Sequence, residues 1–320
     1  SLTSRLRDLR HTIASQVPAS SQLYLDLMKF RSVEGDVGAE AYGIERNGYL
    51  DMVAANARRA QESLRVLEEV SKLPQISNLD STLFQEVRFE VYRIEQDLTS
   101  RLARLDRMKR VVGLYAIVDP EAPGGRSVLE LAEASIKGGA KVIQLRDKRG
   151  DKGLVLEEAT ALKKICELGN ALLIINDHPD VALASDADGV HLGQKDLPIA
   201  VARRILPVDR IVGISTATVE EAQEAARQGA DYIAVGSMFP TSSKEETRPA
   251  GPSTLAQVRA ILSLPLVAIG GINLNNLAEV VEAGADAVAV ISVLSQAEDV
   301  EATARQLVEG INQLYEQSKG

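Results

Sequence analysis

Residues 144–148 read Gln-Leu-Arg-Asp-Lys. In a strand, alternation sends Gln144, Arg146 and Lys148 to one side and Leu145 to the other. Two cations and an amide on a shared side make a poor core and a good anion clamp. The competing reading is a rim salt-bridged to Asp147 and Asp151. Asn176-Asp177 closes the apolar run Leu172-Leu173-Ile174-Ile175, and Asp196 closes the segment His191-Leu192-Gly193-Gln194-Lys195-Asp196. Two carboxylates, completed by water and ligand oxygens, suffice to hold Mg2+ beside a phosphate. Asp177 and Asp196 are therefore a candidate metal pair, unless Asp177 merely caps a short helix at His178-Pro179-Asp180. His191 reads as a hydrogen-bonded interior histidine rather than a ligand. Ser215-Thr216 offers a hydroxyl and free N–H groups before a helix, a ready anion site, or else simply a turn. Residues 240–248 are rich in hydroxyls, with Thr241, Ser243 and Lys244 among them, and suit a mobile lid or a plain surface loop. The pair Gly270-Gly271 lets backbone N–H groups approach a phosphate, or forms a tight turn.

These residues need a scaffold that brings them to one place. From residue 111 onward, short β-rich runs alternate with amphipathic segments: 111–119, 141–147, 171–177, 188–193, 210–216, 231–239, 265–271 and 286–293. Their apolar continuity suits parallel strands buried on both faces. Capping boxes at Ser127…Glu130, Thr218…Glu221 and Ser295…Glu298 predict helix starts. An internal repeat supports the count. Gly139-Ala140-Lys141, Asp186-Ala187-Asp188, Gly229-Ala230-Asp231 and Gly284-Ala285-Asp286 each precede an even-numbered run, with third positions 47, 43 and 55 residues apart. Eight βα units in about 210 residues fit a (β/α)8 (TIM) barrel. A doubly wound sheet loses because no Gly-rich dinucleotide turn follows the first strand. In such a barrel, active-site groups lie at the C-terminal strand ends, where the candidates above fall. The loops after strands seven and eight, with Gly271, Ile291 and Ser292, are its usual phosphate site.

Residues 1–108 have a different texture. Leu50, Val53, Ala57, Ala60, Leu64 and Leu67 alternate spacings of three and four, as do Phe84, Val87, Val91, Ile94, Leu98, Leu102 and Leu105. Each set predicts one apolar stripe on a helix, with a break at residues 73–78 around Pro74. Gly35, Gly38, Gly43 and Gly48 mark an irregular stretch upstream. The fold class is thus α/β, a barrel over 109–320 preceded by an all-α domain over 1–108.

The 320 residues are 25% charged and 45% hydrophobic, which excludes a disordered chain. No apolar run approaches a membrane span, and Ser1-Leu2-Thr3-Ser4-Arg5 lacks the run of a secretory signal, so a soluble, cytoplasmic protein is expected. The single cysteine, Cys166, excludes an intramolecular disulfide, and three scattered histidines exclude a zinc cluster. Residues 1–110 hold 17 Lys/Arg against 16 Asp/Glu, and residues 111–320 hold 19 against 29. An acidic barrel with 3% aromatics and no Trp is a poor nucleic-acid binder. It must bind phosphorylated ligands locally, through a few cations, backbone N–H groups or a metal.

The motifs QLRDK (144–148), ND (176–177), GVHLGQKD (189–196), GIST (213–216), PTSSK (240–244), GGI (270–272) and VISVL (290–294) resemble, in order, those of the thiamine phosphate synthase family. The resemblance implies condensation of 4-amino-5-hydroxymethyl-2-methylpyrimidine diphosphate with 4-methyl-5-(2-hydroxyethyl)thiazole phosphate, giving thiamine phosphate and pyrophosphate. It implies that Gln144, Arg146, Lys148, Asn176, Ser215 and Lys244 hold the pyrimidine diphosphate. Asp177 and Asp196 are implied to bind Mg2+. Thr241, Ser243, Gly271, Ile291 and Ser292 are implied to hold the thiazole phosphate. The family usually has Thr where Ser243 stands, so weaker loop packing is expected there. A related thiazole tautomerase carries a His where this chain has Ala217. A tautomerase-like isomerase and a non-catalytic phosphate-binding barrel are the alternatives, and Ala217 argues against tautomerisation. The helical half resembles the extension fused to some bacterial synthases. Its Asn56, Arg59, Glu62 and Arg65 share one helical face, read as a solvated or salt-bridged face, with a second small-molecule site as the sharper alternative. An interaction or homo-oligomerisation role for this half is left open.

Overall fold

The apolar runs of the C-terminal two-thirds become eight strands because each is buried on both faces. In the computed structural model, which describes residues 2–16, 21–29, 48–74, 76, 79–240 and 248–317, the chain divides into two compact units, Ser1–Ala103 and Arg104–Gly320. The first holds α1 (Leu2–Gln16), α2 (Gln22–Lys29), α3 (Tyr49–Val70) and most of α4 (Ser81–Lys109). Leu64, Phe84 and Val87 form its buried core, with Leu9, Ile13 and Leu67 packed against them. Arg88 donates from Nε (3.0 Å) and Nη2 (2.8 Å) to the buried Glu68, tying α4 to α3. The predicted stripe on α3 is buried only at its C-terminal end, since Leu50 and Ala60 are exposed. Asn56, Arg59, Glu62 and Arg65 are also exposed, with Arg59 donating to Asn56 and Arg65 paired to Glu69, a solvated face. Gly35, Gly38 and Gly43 lie outside the described residues.

The second unit is a closed barrel of parallel strands in the order β1 to β8. The strands are β1 (Gly113–Val118), β2 (Val142–Leu145), β3 (Leu172–Asn176), β4 (Gly189–Leu192), β5 (Ile211–Thr216), β6 (Tyr232–Gly236), β7 (Leu266–Ile269) and β8 (Ala287–Val290). Around them run α5 (Val128–Lys137), α6 (Lys152–Leu168), α7 (Pro179–Ala184), α8 (Ile199–Ile205), α9 (Val219–Gln228), α10 (Gly251–Ile261), α11 (Leu277–Glu282), α12 (Ser292–Ser295) and α13 (Val300–Gln317). Strand alternation sorts the apolar side chains into two cores. Tyr115, Ile117, Leu172, Ile174, Tyr232 and Val267 fill the barrel interior, while Leu114, Ile143, Leu173, Val190 and Ile233 pack against the helices.

The strands stop earlier than the apolar runs do. Arg146 and Lys148 lie just beyond β2, and Ser292 opens α12 instead of ending β8. The capping box at Ser127…Glu130 is present. Thr218 accepts from the Glu221 N–H, but the Glu221 carboxylate turns back to the Ala217 N–H at 2.8 Å. The cap expected at Ser295 is overturned: Ser295 ends α12, its hydroxyl has no partner, and Asp299 accepts from the Ala302 N–H before α13. A carboxylate four residues on outcompeted the hydroxyl.

The repeat has a second role. Asp188, Asp231 and Asp286 accept the N–H groups of Leu173, Val212 and Leu266, the adjoining strands' first or second residues. Each carboxylate is also paired with cations: Asp188 with Arg107 and Lys163, Asp231 with Arg104 and Arg203, Asp286 with Arg259. These contacts fix the barrel's N-terminal floor, opposite the strand ends where the candidates gather.

Candidate active site

The loops after the strands enclose a cavity of about 970 Å³ at the C-terminal end of the barrel. Arg146, Lys148, Asn176, Asp177, Asp196 and Ser215 line it, and so do Gly271, Ile291 and Ser292. Gln144 is buried one layer beneath, reaching the wall through its Nε2–H to Asn176 Oδ1 at 3.2 Å. Thr241, Ser243 and Lys244 lie outside the described residues. Arg248, which follows them, lines the cavity and holds Glu221 through both guanidinium nitrogens at 2.6 and 2.9 Å. That pairing keeps the Glu221 carboxyl below the usual range.

The rim alternative for 144–148 does not hold. Arg146 pairs with Asp119, a buried carboxylate directly after β1, and Lys148 with Asp177. Asp147 turns away to Arg149, and Asp151 caps α6. Asp177 does not cap α7 either, since the residue at that cap is His178, without a side-chain bond. Held at φ 63°, with its N–H on the His191 carbonyl, Asp177 comes within hydrogen-bond reach of Asp196. Asp196 in turn accepts the Gly193 N–H at 2.7 Å. Burial and the neighbouring Asp177 raise the Asp196 carboxyl above its ordinary value. Two converging carboxylates form a donor set suited to one hard divalent cation that keeps water and phosphate oxygens as its other ligands. Among the described residues no group of three or more His, Cys, Asp or Glu offers an all-protein metal cage.

Beneath the wall runs a connected set of polar side chains that periodicity in an apolar strand does not announce. His191 contacts Ser215 Oγ through Nε2 at 2.9 Å and Tyr232 OH through Nδ1 at 3.0 Å. Tyr232 OH lies 3.0 Å from Tyr115 OH, which donates to Gln144 Oε1 at 2.8 Å. Burial pushes the pKa of both phenols above the ordinary value, so each keeps its proton. Gly213, read at first only as part of a motif, makes room for this set: a Cβ there would stand 1.9 Å from Tyr232 Cζ. Gly271, at φ 65°, brings its backbone against the Pro240 carbonyl, where a Cβ would approach to 2.6 Å. Asp119, Tyr115, Tyr232 and Arg248 are the site residues that sequence reasoning missed. Asp119 had a usable signal, a carboxylate closing an apolar strand just as Asp177 does.

The cavity is thus cationic and hydroxylic around β2 to β5, with a carboxylate pair among the cations. Backbone and a hydroxyl dominate after β7 and β8. Such a wall can hold two phosphorylated ligands side by side and stabilise charge on a leaving group. Residues 114–294 match the family described as thiamine monophosphate synthase, and residues 1–97 match the ThiD2 family. The chain is 39% identical over 294 residues to the thiamine-phosphate synthase of Nostoc punctiforme, covering 90% of this chain and 81% of that one. It is 50% identical over 191 residues to that of Halalkalibacterium halodurans, covering 59% of this chain and 90% of that one. Among solved structures, the thiamine phosphate pyrophosphorylase from Pyrococcus furiosus superposes with a TM-score of 0.60 at 38% identity, covering 64% of this chain and 98% of that one.

Proposed function

The chain belongs to the thiamine monophosphate synthase family and is a transferase of thiamine biosynthesis; from that premise we propose how its cavity divides two substrates. The pyrimidine diphosphate occupies the β2–β5 side and the thiazole phosphate the β7–β8 side. The observation supporting this division is the placement of Arg146, Lys148, Ser215 and the Asp177–Asp196 pair on one cavity with Gly271 and Ser292.

Arg146 is held in place by Asp119, so its guanidinium meets the diphosphate already oriented. Lys148 exchanges its pairing with Asp177 for a phosphate oxygen. Both cations stabilise the charge that accumulates as the methylene C–O bond breaks and its electron pair leaves with pyrophosphate. Mg2+, which Asp177 and Asp196 would hold, supplies further charge stabilisation to that leaving group. The aminopyrimidine ring stabilises the exocyclic methylene cation by electron release, and the thiazole nitrogen then forms the new C–N bond. No protein nucleophile takes part. Lys244, Thr241 and Ser243 complete the two halves in this reading.

The test is to incubate the protein with both substrates and Mg2+. Thiamine phosphate and pyrophosphate are expected in equal amounts. Folded protein that binds both substrates yet forms no thiamine phosphate overturns the reading.

A further inference from the structure

Ser215, His191, Tyr232, Tyr115, Gln144 and Asn176 come one each from β5, β4, β6, β1, β2 and β3 and form an unbroken hydrogen-bonded chain that starts at the cavity wall with Ser215 and His191 and returns to it at Asn176. Each inner member has a limited supply of protons. A phenol has one to donate, and a neutral imidazole has one N–H and one accepting nitrogen. Because Tyr115 donates to Gln144, its oxygen must accept from Tyr232. Tyr232 must then accept from His191 Nδ1–H, which leaves Nε2 to accept the Ser215 hydroxyl proton. With this polarity Ser215 gives its proton inward and shows the cavity only lone pairs, while Asn176 turns its N–H groups outward.

With the imidazole neutral, one other polarity satisfies every contact. Asn176 donates to Gln144, Gln144 to Tyr115, Tyr115 to Tyr232, Tyr232 to His191 Nδ1, and His191 Nε2–H to Ser215, whose hydroxyl is then free to donate into the cavity. Any mixed arrangement of the same protons either leaves two acceptors facing each other with no proton between them or leaves a buried proton without an acceptor, and both states are costly. The chain is therefore two-state, and its ends are linked.

We propose that His191, Tyr232 and Tyr115 are positioning residues for the synthase reaction: an anion at Ser215 selects the polarity in which Ser215 donates to it, and the reversal turns the Asn176 carbonyl toward the ring that bears the anion. An acceptor there favours a ring with an exocyclic amino group over one with an oxo group, so anion binding and ring choice are coupled. The reversal conserves protons. The phenol hydrogens rotate about their C–O bonds and the two amides turn over, while water admitted as the His191 side chain transiently opens to the cavity takes the Nδ1 proton and supplies one at Nε2. The proposal rests on the reading above that places the diphosphate at the Ser215 end.

The test is the tautomer of His191 in the full chain labelled with 15N-histidine, observed by long-range 1H–15N correlation. The signals are assigned by their loss in H191Q or, if that variant does not fold, by elimination with H11Q and H178Q. Inorganic pyrophosphate with Mg2+ is the probe, and its binding is followed separately by calorimetry. The expected result is Nδ1–H in the free protein and Nε2–H with pyrophosphate bound. Y115F deprives the Tyr232 hydroxyl of its acceptor, so Tyr232 turns to His191 and Nε2–H is expected even without pyrophosphate. In Y115F, pyrophosphate affinity should be kept while KM for the pyrimidine diphosphate rises about tenfold. A purely structural role would lower the melting temperature of Y115F and move neither the tautomer nor the balance of affinities. Pyrophosphate binding without a change of tautomer, or with both nitrogens protonated, overturns the two-state chain. Absence of pyrophosphate binding overturns the anion assignment and the coupling with it.

Discussion

Burial, and after it the neighbouring Asp177, raise the Asp196 carboxyl above its ordinary value, so keeping Asp196 ionised costs the free protein stability. The sign follows from Asp196, whose carboxyl titrates higher in the folded chain than in the unfolded one. The folded state then binds that proton more tightly, so stability falls as pH rises from the unfolded value through the folded one, and the penalty is complete at neutral pH. Removing the charge should relieve it. D196N, whose amide oxygen can still accept the Gly193 N–H, is expected to melt on the order of 1–3 °C above the parent at pH 7 without metal. It should lose most of the stabilisation that Mg2+ confers on the parent; scanning calorimetry with and without Mg2+ reads both effects, and an unaltered Mg2+ response would remove Asp196 from the metal pair. Lys148 makes a contrasting case, being half exposed and singly paired. K148A should raise KM for the pyrimidine diphosphate about tenfold while leaving that for the thiazole phosphate within about twofold, as expected for one charge-assisted hydrogen bond; steady-state kinetics with each substrate varied in turn separates the two. Side chains at strand ends, such as these, were legible because a polar residue closing an apolar run has nowhere else to point. Tyr115 and Tyr232 were not, because in a strand buried on both faces alternation does not say which face is the barrel interior. A hydroxyl inside an apolar run acquires meaning only when its partner on another strand is known.

At the level of elements, the recurring Gly-Ala-Asp signalled the number of βα units but not the work of its aspartates. Glycine there ends a helix locally, with Gly229 at φ 92° and Gly284 at φ 96°. The carboxylates act across strands, on backbone N–H groups 15 to 20 residues away and on arginines from other elements. Spacing within one segment carries no trace of such pairings. The same limit explains Ser295, where a local pattern fitted a helix start and a neighbouring carboxylate occupied the cap instead. The stability consequence is graded by burial. Asp231 is buried and holds Arg104, Arg203 and the Val212 N–H, so D231A takes the carboxylate from two guanidinium groups, which keep their carbonyl contacts, and strands one backbone donor. A loss of about 3–5 kcal/mol is expected. Asp186, exposed in the same repeat family and paired with Arg210 among the described residues, should cost less than about 0.5 kcal/mol as D186N, since Asn also tolerates its φ of 55°. Urea denaturation of the two variants side by side measures the difference, and similar losses would mean that the floor contacts are no stronger than surface pairs.

At the scale of the whole chain, the texture change near residue 110 marked two parts, yet the last turns of α4 fall with the barrel. Arg104 is buried against Asp231, and Arg107 reaches both Asp188 and Asp209. A cut chosen from texture alone, after residue 108, would leave two floor carboxylates short of a partner, whereas a cut after Ala103 keeps every one of these pairs. The relative from Halalkalibacterium halodurans is matched over 90% of its length by 191 residues of this chain, fewer than the second unit alone holds. Residues 104–320 alone are expected to keep kcat and both KM values within about threefold of the full chain, since every cavity cation, carboxylate and hydroxyl named above belongs to them and a threefold change is no more than about one ordinary hydrogen bond. Residues 109–320 should instead unfold at lower urea, with activity falling in step with the folded fraction. Steady-state assays and urea titrations on the two fragments decide the matter. Equal stability of the two would show the arginines of α4 to be ornamental, and an inactive but folded 104–320 fragment would place part of the synthase machinery in the helical half.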